Sequence, residues 1–308
     1  MKIIFFTGKG GVGKSTLAAA SAWQLSQKSK VLLVSLDPAH NLGDIFDVAI
    51  DREKKKLSQT LTLMEIDLQK LSREYLEQES DVLSRTYGYL KTLNLDQYFS
   101  ILKYSPGIEE YALLTGIARI IQKETAFDYI VFDTPPTGLT LRFLALPSVT
   151  TTWIDRLIHI RRQILEKRYT IHRIRGTLSS SETVLDYKEE DDDILQRLLA
   201  LNETYQDLNR TLRGPDCHFV LVFNPDVLSL KESDRLMAGL RDLGLPLRLL
   251  IDNKVSRENK DMAGHVEKKI EAAAEGVPLQ RISLSSPPSP ESRGGLYAIP
   301  ENILPANW

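Results

Sequence analysis

One cysteine, Cys217, stands in 308 residues. That excludes a disulfide within the chain and a zinc or iron–sulfur site built from one chain's cysteines alone. No run reaches the ~18 apolar residues that a membrane-spanning helix needs. The first apolar run opens at Lys2, which leaves no room for a signal peptide. Charge of one sign is lacking too. Thirty-nine Lys and Arg stand against 41 Asp and Glu, a formal net charge of −2, with no global field to draw nucleic acid or an acidic membrane. Methionine is scarce, with four residues: Met1, Met64, Met237 and Met262. These absences imply a cytoplasmic protein without zinc, iron–sulfur cluster or nucleic-acid partner. The apolar share of 42% suits a chain that buries a core, and the length suits one large α/β domain or two small ones.

Short apolar, β-branched-rich runs recur at Ile3–Thr7, Val31–Asp37, Leu61–Ile66, Tyr129–Asp133, Phe219–Phe223, Leu247–Ile251 and Arg281–Leu284. Most are apolar at nearly every position, as strands buried on both faces of a parallel sheet are. Helical patterns lie between several of them, at Ser15–Gln27 and Ser229–Leu243. Ser229, with Glu232 three residues on, reads as an N-cap and capping box. The alternation predicts a doubly wound α/β core, mostly parallel. Two stretches break it, Leu68–Thr125 and Pro147–Arg213, and carry no clear strands. In the second, Trp153, Leu157, Ile160 and Ile164 share one helical face, and Leu195, Leu199, Tyr205, Leu208 and Leu212 another. They predict two long helices packed together beneath solvated charge, basic over 156–175 and acidic over 189–193. The expected division is a core of about 1–67, 126–146 and 214–308, with a helical subdomain inserted as 68–125 and 147–213.

The chemistry starts at GKGGVGKS, residues 8–15, which fits G-x-x-x-x-G-K-[ST]. Gly8, Gly10, Gly11, Val12 and Gly13 would wrap their backbone round phosphate oxygens, with the following helix N-terminus adding positive potential. Lys14 would neutralise β- and γ-phosphate charge, the Ser15 hydroxyl would ligate Mg²⁺, and Thr16 would reach the α-phosphate. A preceding strand and a following helix supply the context this pattern requires. A second lysine, Lys9, stands where the pattern asks for nothing.

Three further stretches end apolar runs with polar residues. In VSLDPAHNLGDIF (34–46), Asp37 lies at the carboxyl end of a strand, where it could direct a water at a γ-phosphate or merely cap the Pro38 turn. In DYIVFDTPPTGLTLRFLALP (128–147), Asp133 reads as a Walker B carboxylate that reaches Mg²⁺. The residues Thr134–Gly138 read as a loop able to follow the γ-phosphate. In IDNKV (251–255), the Asn253 amide could read adenine.

With those residues in place, the sequence resembles the ArsA-type anion-transporting ATPases, a family that includes arsenical pump-driving ATPases and ATPases that target tail-anchored membrane proteins. The resemblance rests on GKGGVGKST (8–16), DPAHNLGD (37–44), SPGIEE (105–110), DTPPTGLTLRFLALP (133–147) and NPDVLSLKESDRL (224–236). It implies an ATP-binding P-loop NTPase that hydrolyses ATP to ADP with Mg²⁺, as a homodimer closing on two nucleotides. It implies that Lys9 crosses the interface to the partner's phosphates, that Asp37 positions the attacking water, and that Asn41 and Asn253 join the nucleotide site.

The chain also departs from the pattern. Cysteine-rich arsenite sites, the CxxC zinc pair and cluster-binding cysteines of relatives have no counterpart here, and Leu139 stands where the family often has His. Three couplings follow from the resemblance: delivery of a membrane-protein client, driving of an anion or arsenite transporter, and a nucleotide switch of the chromosome-partition or division-site class. An apolar client could be held by the segment from Tyr87 to Leu102.

Overall fold

A computed structural model describes residues 1–37, 42–50, 54–86, 105, 107–175, 187–284, 297–305 and 308. Among these residues eight strands form one sheet in the order β3-β4-β2-β5-β1-β6-β7-β8. They are β1 (Lys2–Gly8), β2 (Val31–Ser35), β3 (Lys55–Lys56), β4 (Leu61–Glu65), β5 (Tyr129–Asp133), β6 (Cys217–Phe223), β7 (Leu247–Val255) and β8 (Leu279–Ser283). Every pairing is parallel except the short β3–β4 ribbon at one edge. After β1 the chain first builds one wing, β2 to β5, and later the other, β6 to β8. The carboxyl end of β1 is therefore the switch point at which such sheets bind ligands.

Two-residue alternation sends successive side chains to opposite faces. Ile3 and Phe5 enter one core, Ile4 and Phe6 the other. Phe132, Phe5 and Phe219 stack across three neighbouring strands with centroids 4.7 and 4.9 Å apart. Burial on both faces is why the central runs, β1, β5 and β6, are apolar at nearly every position.

The helices are α1 (Lys14–Ser26), α2 (Leu42–Phe46), α3 (Leu68–Thr86), α4 (Ile108–Lys123), α5 (Thr137–Arg175), α6 (Asp193–Arg213), α7 (Val227–Asp242) and α8 (Lys260–Ala273). Helix α1 packs on the Ile4–Phe6 face, while α4 to α8 bury residues in the other core. The sheet was legible down to the strand, except for β3, whose two lysines are both exposed and carry no apolar signal.

Four local expectations need correction. Helix α7 starts two residues before Ser229, because the Asp226 carboxylate caps it by accepting from the Ser229 N–H at 2.7 Å. Ser229 instead accepts the Asn224 N–H on its hydroxyl. Strand β2 stops at Ser35, two residues short of Asp37. Helix α5 begins at Thr137, so the loop after β5 is Thr134–Pro136 only. That helix also runs through Pro147 for 39 residues, crossing the boundary expected at 146/147. Buried Phe143 and Leu144 before the proline, and Ile154 and Ile158 after it, hold the helix on both sides of the missing N–H.

The fourth correction concerns the pairing of α5 with α6. The two helices do pack, but not through Trp153, Leu157, Ile160 and Ile164, all of which are exposed. The buried stripe is displaced by one residue, to Ile154, Ile158 and Leu165, with Arg161 at its centre gripping Asp192. Both stripes have helical spacing, so periodicity alone could not choose between them. Asp192, the N-cap of α6, accepts the Leu195 N–H at 2.8 Å as well, and these bonds hold its carboxyl below the usual range.

Candidate active site

The loop between β1 and α1 takes the shape that its glycines permit. Gly8, Gly11 and Gly13 have φ of 149°, 80° and 95°. A Cβ on Gly8 would lie 2.2 Å from the Val222 carbonyl oxygen, and one on Gly13 would lie 2.4 Å from Nδ2 of Asn253. Strands β6 and β7 thus press on the loop from behind. Asn253 donates to the Val12 carbonyl at 2.8 Å, and Lys254 donates through Nζ to the Gly11 carbonyl at 2.8 Å. Lys254 itself holds φ of 60°, unusual for a residue with a side chain.

Lys14 is buried, and its ammonium donates to the Lys9 carbonyl at 3.2 Å. Burial lowers its pKa, while the charges of Asp133 and then Asp37 oppose that fall. Asp133 is fully buried at the carboxyl end of β5, level with Phe6 of β1. Burial pushes its carboxyl up to about 7, against the Ser15 hydroxyl that faces it and the nearby Lys14. Both its oxygens fall short of a full hydrogen bond. A buried carboxylate left in that state, with a hydroxyl facing it, fits a hard cation that takes oxygen ligands. Thr134, next in sequence, donates its hydroxyl to the Phe6 carbonyl at 2.8 Å, which fixes the chain leaving β5.

Lys9, Lys14, Ser15, Thr16, Asp37, Asp133 and Asn253 are all among the described residues, and the structure gathers Lys14, Ser15, Asp37 and Asp133 into one electrostatic cluster. Asn253 arrives at the same loop, through the backbone of Val12. Asn41 and His40 lie outside the described residues, as does the segment from Tyr87 to Leu102.

The family model of the anion-transporting (ArsA) ATPases matches residues 1–281. The chain belongs to this family. Relatives include two Aquifex aeolicus (strain VF5) proteins named as arsenical pump-driving ATPases. One, number 2, is 34% identical over 84% of this chain and 82% of its own length. The other, number 1, is 32% identical over 84% of this chain and 64% of its own length. The ATPase get3 of Pyrenophora tritici-repentis (strain Pt-1C-BFP) is 30% identical over 85% of this chain and 76% of its own. As an ArsA-family ATPase the chain binds and hydrolyses ATP, and the P-loop is where such a fold takes the phosphates.

Two residues that brace the loops of this candidate site carry no motif signal in the sequence. Glu65, the last residue of β4, accepts the N–H groups of Leu42 and Gly43 at 3.0 and 3.2 Å. It caps α2 and so anchors the far end of the stretch that begins at Asp37. No motif spacing marks it, because it acts from a different strand. Lys254 sits in the IDNKV stretch beside Asn253, but nothing in the sequence shows a lysine side chain curling back to a carbonyl of the loop. Cys217 is fully buried, and burial alone pushes its thiol far above the ordinary range. Among the described residues no helix is long and apolar enough to cross a membrane.

Proposed function

We propose that this ATPase works with Mg²⁺ as a homodimer that closes on ATP, opens after hydrolysis, and uses the cycle to hold and release an apolar segment of a membrane-protein client. The observation that carries the catalytic half is the convergence of Lys14, Ser15 and Asp37 on the buried carboxyl of Asp133. The N–H groups of Gly8 to Thr16 and the Lys14 ammonium hold the phosphates. Ser15 and Asp133 would hold the Mg²⁺, which would supply positive charge against the phosphates. Asp37 aligns the attacking water. Lys9 reaches the partner subunit's phosphates and steadies charge there as it develops. The division into a core and a helical subdomain is part of this proposal: the core carries the chemistry, and α3 to α6 carry the client.

What supports the client reading is the face of α5 left bare. Trp153, Leu157, Ile160, Ile164, Ile171 and Ile174 are exposed on one helix, Trp153 at 67% and Ile174 at 78%. An exposed apolar stripe of that kind marks an interaction surface. The names of two relatives favour the rival reading, an arsenical pump motor. The one cysteine opposes it, because a soft metalloid needs reachable thiolates and Cys217 has no access to solvent.

The test is Asp37→Asn. With Mg·ATP the variant should form a dimer on light scattering, turn over ATP far more slowly than the parent, and retain a peptide carrying a single apolar span. A monomer under saturating ATP removes the interface mechanism, and a closed dimer indifferent to the peptide removes the client.

A further inference from the structure

The carboxyl end of β7 continues past the P-loop clamp into a second concavity. A cleft of about 820 Å³ lies between the outer flank of α8 and β8, and starts at Val255, directly after Lys254. Among the described residues its walls carry Arg257, Lys260, His265, Lys268 and Arg281 against one acid, Asp261, with Glu267 paired to Arg281 behind them. In a chain with a net charge of −2, this is a local reversal of sign. The catalytic cluster uses none of these side chains. Arg281 is set in advance: Glu267, itself buried, takes Nε and Nη2 of the guanidinium on its two carboxylate oxygens, yet 59% of the arginine side chain stays exposed. Such an anchored fork loses little freedom when it meets an anion.

The other wall is a sheet edge. Among the described residues β8 pairs with β7 alone. The Pro278 carbonyl accepts from Leu250 and the Leu284 N–H donates to Val255, so the even-numbered positions face β7. Alternation then turns the backbone groups of Arg281 and Ser283 outward. An edge that no described residue pairs with offers a template for one more strand.

We infer that this cleft docks an acidic, extended segment of a partner protein, which adds to the outer edge of β8 and sets its carboxylates against Lys260, Lys268, Arg257 and Arg281. A polypeptide fits better than a bilayer, since the cleft is concave and offers backbone groups that a lipid headgroup cannot pair in register. It fits better than a free anion, since Lys260 and Lys268 stand about two helical turns apart on α8 and Arg281 lies across from them on β8.

The probe is a fluorescein-labelled peptide of alternating Glu and Thr, titrated into the full chain by anisotropy, with a Lys–Thr peptide as control. The acidic peptide should bind saturably and weaken as salt rises. The double reversal Lys260→Glu with Lys268→Glu should weaken it about tenfold or more, with thermal melting and basal ATP hydrolysis unchanged. Ser283→Pro should also weaken it, by deleting an outward N–H while leaving the β7 pairing whole. Equal binding of the Lys–Thr peptide, or indifference to the charge reversal, overturns the proposal. So does displacement of the peptide by inorganic phosphate or by phosphatidylserine vesicles at matched charge, which would make the cleft an anion or lipid site. A Ser283→Pro protein that binds as the parent does overturns the strand addition.

Discussion

Asn253 donates its side-chain N–H to the carbonyl oxygen of Val12 over 2.8 Å, so β7 holds the phosphate loop by its backbone. Both residues are buried. In Asn253→Ala the Val12 carbonyl loses its partner, a cost of about 1–3 kcal/mol. ATP affinity should fall roughly tenfold, with a lower melting temperature. Asn253→Asp should be worse, because a carboxylate would face a carbonyl oxygen. Calorimetric titration with ATP checks this, and unchanged affinity in both variants would remove Asn253 from the site.

The glycines of the loop are not equivalent, and alanine substitution should separate them. A methyl on Gly8 would strike a backbone carbonyl at 2.2 Å, and at φ of 149° the residue is strained as well. Neither can relax without moving β6, so Gly8→Ala should cost more than about 3 kcal/mol and give little folded protein. Gly10 is a contrast: its added methyl would meet only Pro136 Cγ, at 3.9 Å. Gly10→Ala should fold within about 1 kcal/mol of the parent. Urea midpoints for the two decide it.

How much of this could be read from the sequence depended on how local the cause was. The central strands announced themselves because burial on both faces leaves few polar positions, and the P-loop did because its glycines, Lys14 and Ser15 lie within one short stretch. Asp133 was legible as the polar end of an apolar run. Glu65 and Lys254 were not, because each acts on a loop from a distant strand. The bare stripe on α5 was misread as a packing seam: Leu157 and Ile158 both continue helical periodicities, and only the Arg161–Asp192 pair fixes which of them faces α6.

Asp252 precedes the clamp residues and is fully buried. Its carboxyl is pushed up to about 8, by burial first and then by Glu267 beside it, with Arg281 opposing. An unfolded aspartate titrates near 4. Below that pH both states hold the proton. As pH rises from about 4 the unfolded chain ionises first, so this residue's contribution declines until the folded group also ionises near 8. Asp252→Asn should therefore gain stability over the parent by a margin that widens between pH 5 and pH 8. Melting curves across that range test it, and a margin independent of pH would show that Asp252 is already ionised.

The two stripes of α5 make opposite predictions. Ile158→Ala, on the buried side, should cost about 2–4 kcal/mol. Trp153→Ser with Ile160→Ser and Ile164→Ser, on the bare side, should change stability by less than about 1 kcal/mol and leave ATP hydrolysis intact, yet lose retention of an apolar-span peptide. Denaturant unfolding and peptide pull-down read the two effects separately. A triple variant that melts early would mean that this face is covered in the native protein.

Among the described residues, Lys9 finds no hydrogen-bond or ion-pair partner for its side chain. Its carbonyl serves Lys14, but that contact is made by backbone and would survive any substitution. If its ammonium acts on the partner subunit's phosphates, Lys9→Ala should bind ATP within a few-fold of the parent and lose roughly 100-fold or more in turnover. Mixing decides whether the action is in trans. A Lys9→Ala subunit paired with an Asp37→Asn subunit has one site with an intact Asp37 facing an intact Lys9 across the interface, and one site lacking both. That heterodimer should keep about half the turnover of the parent dimer, so an equimolar mixture assorting at random should recover about a quarter, although each variant alone is nearly inactive. If the lysine acts within its own subunit, each site keeps one defect and mixing restores nothing.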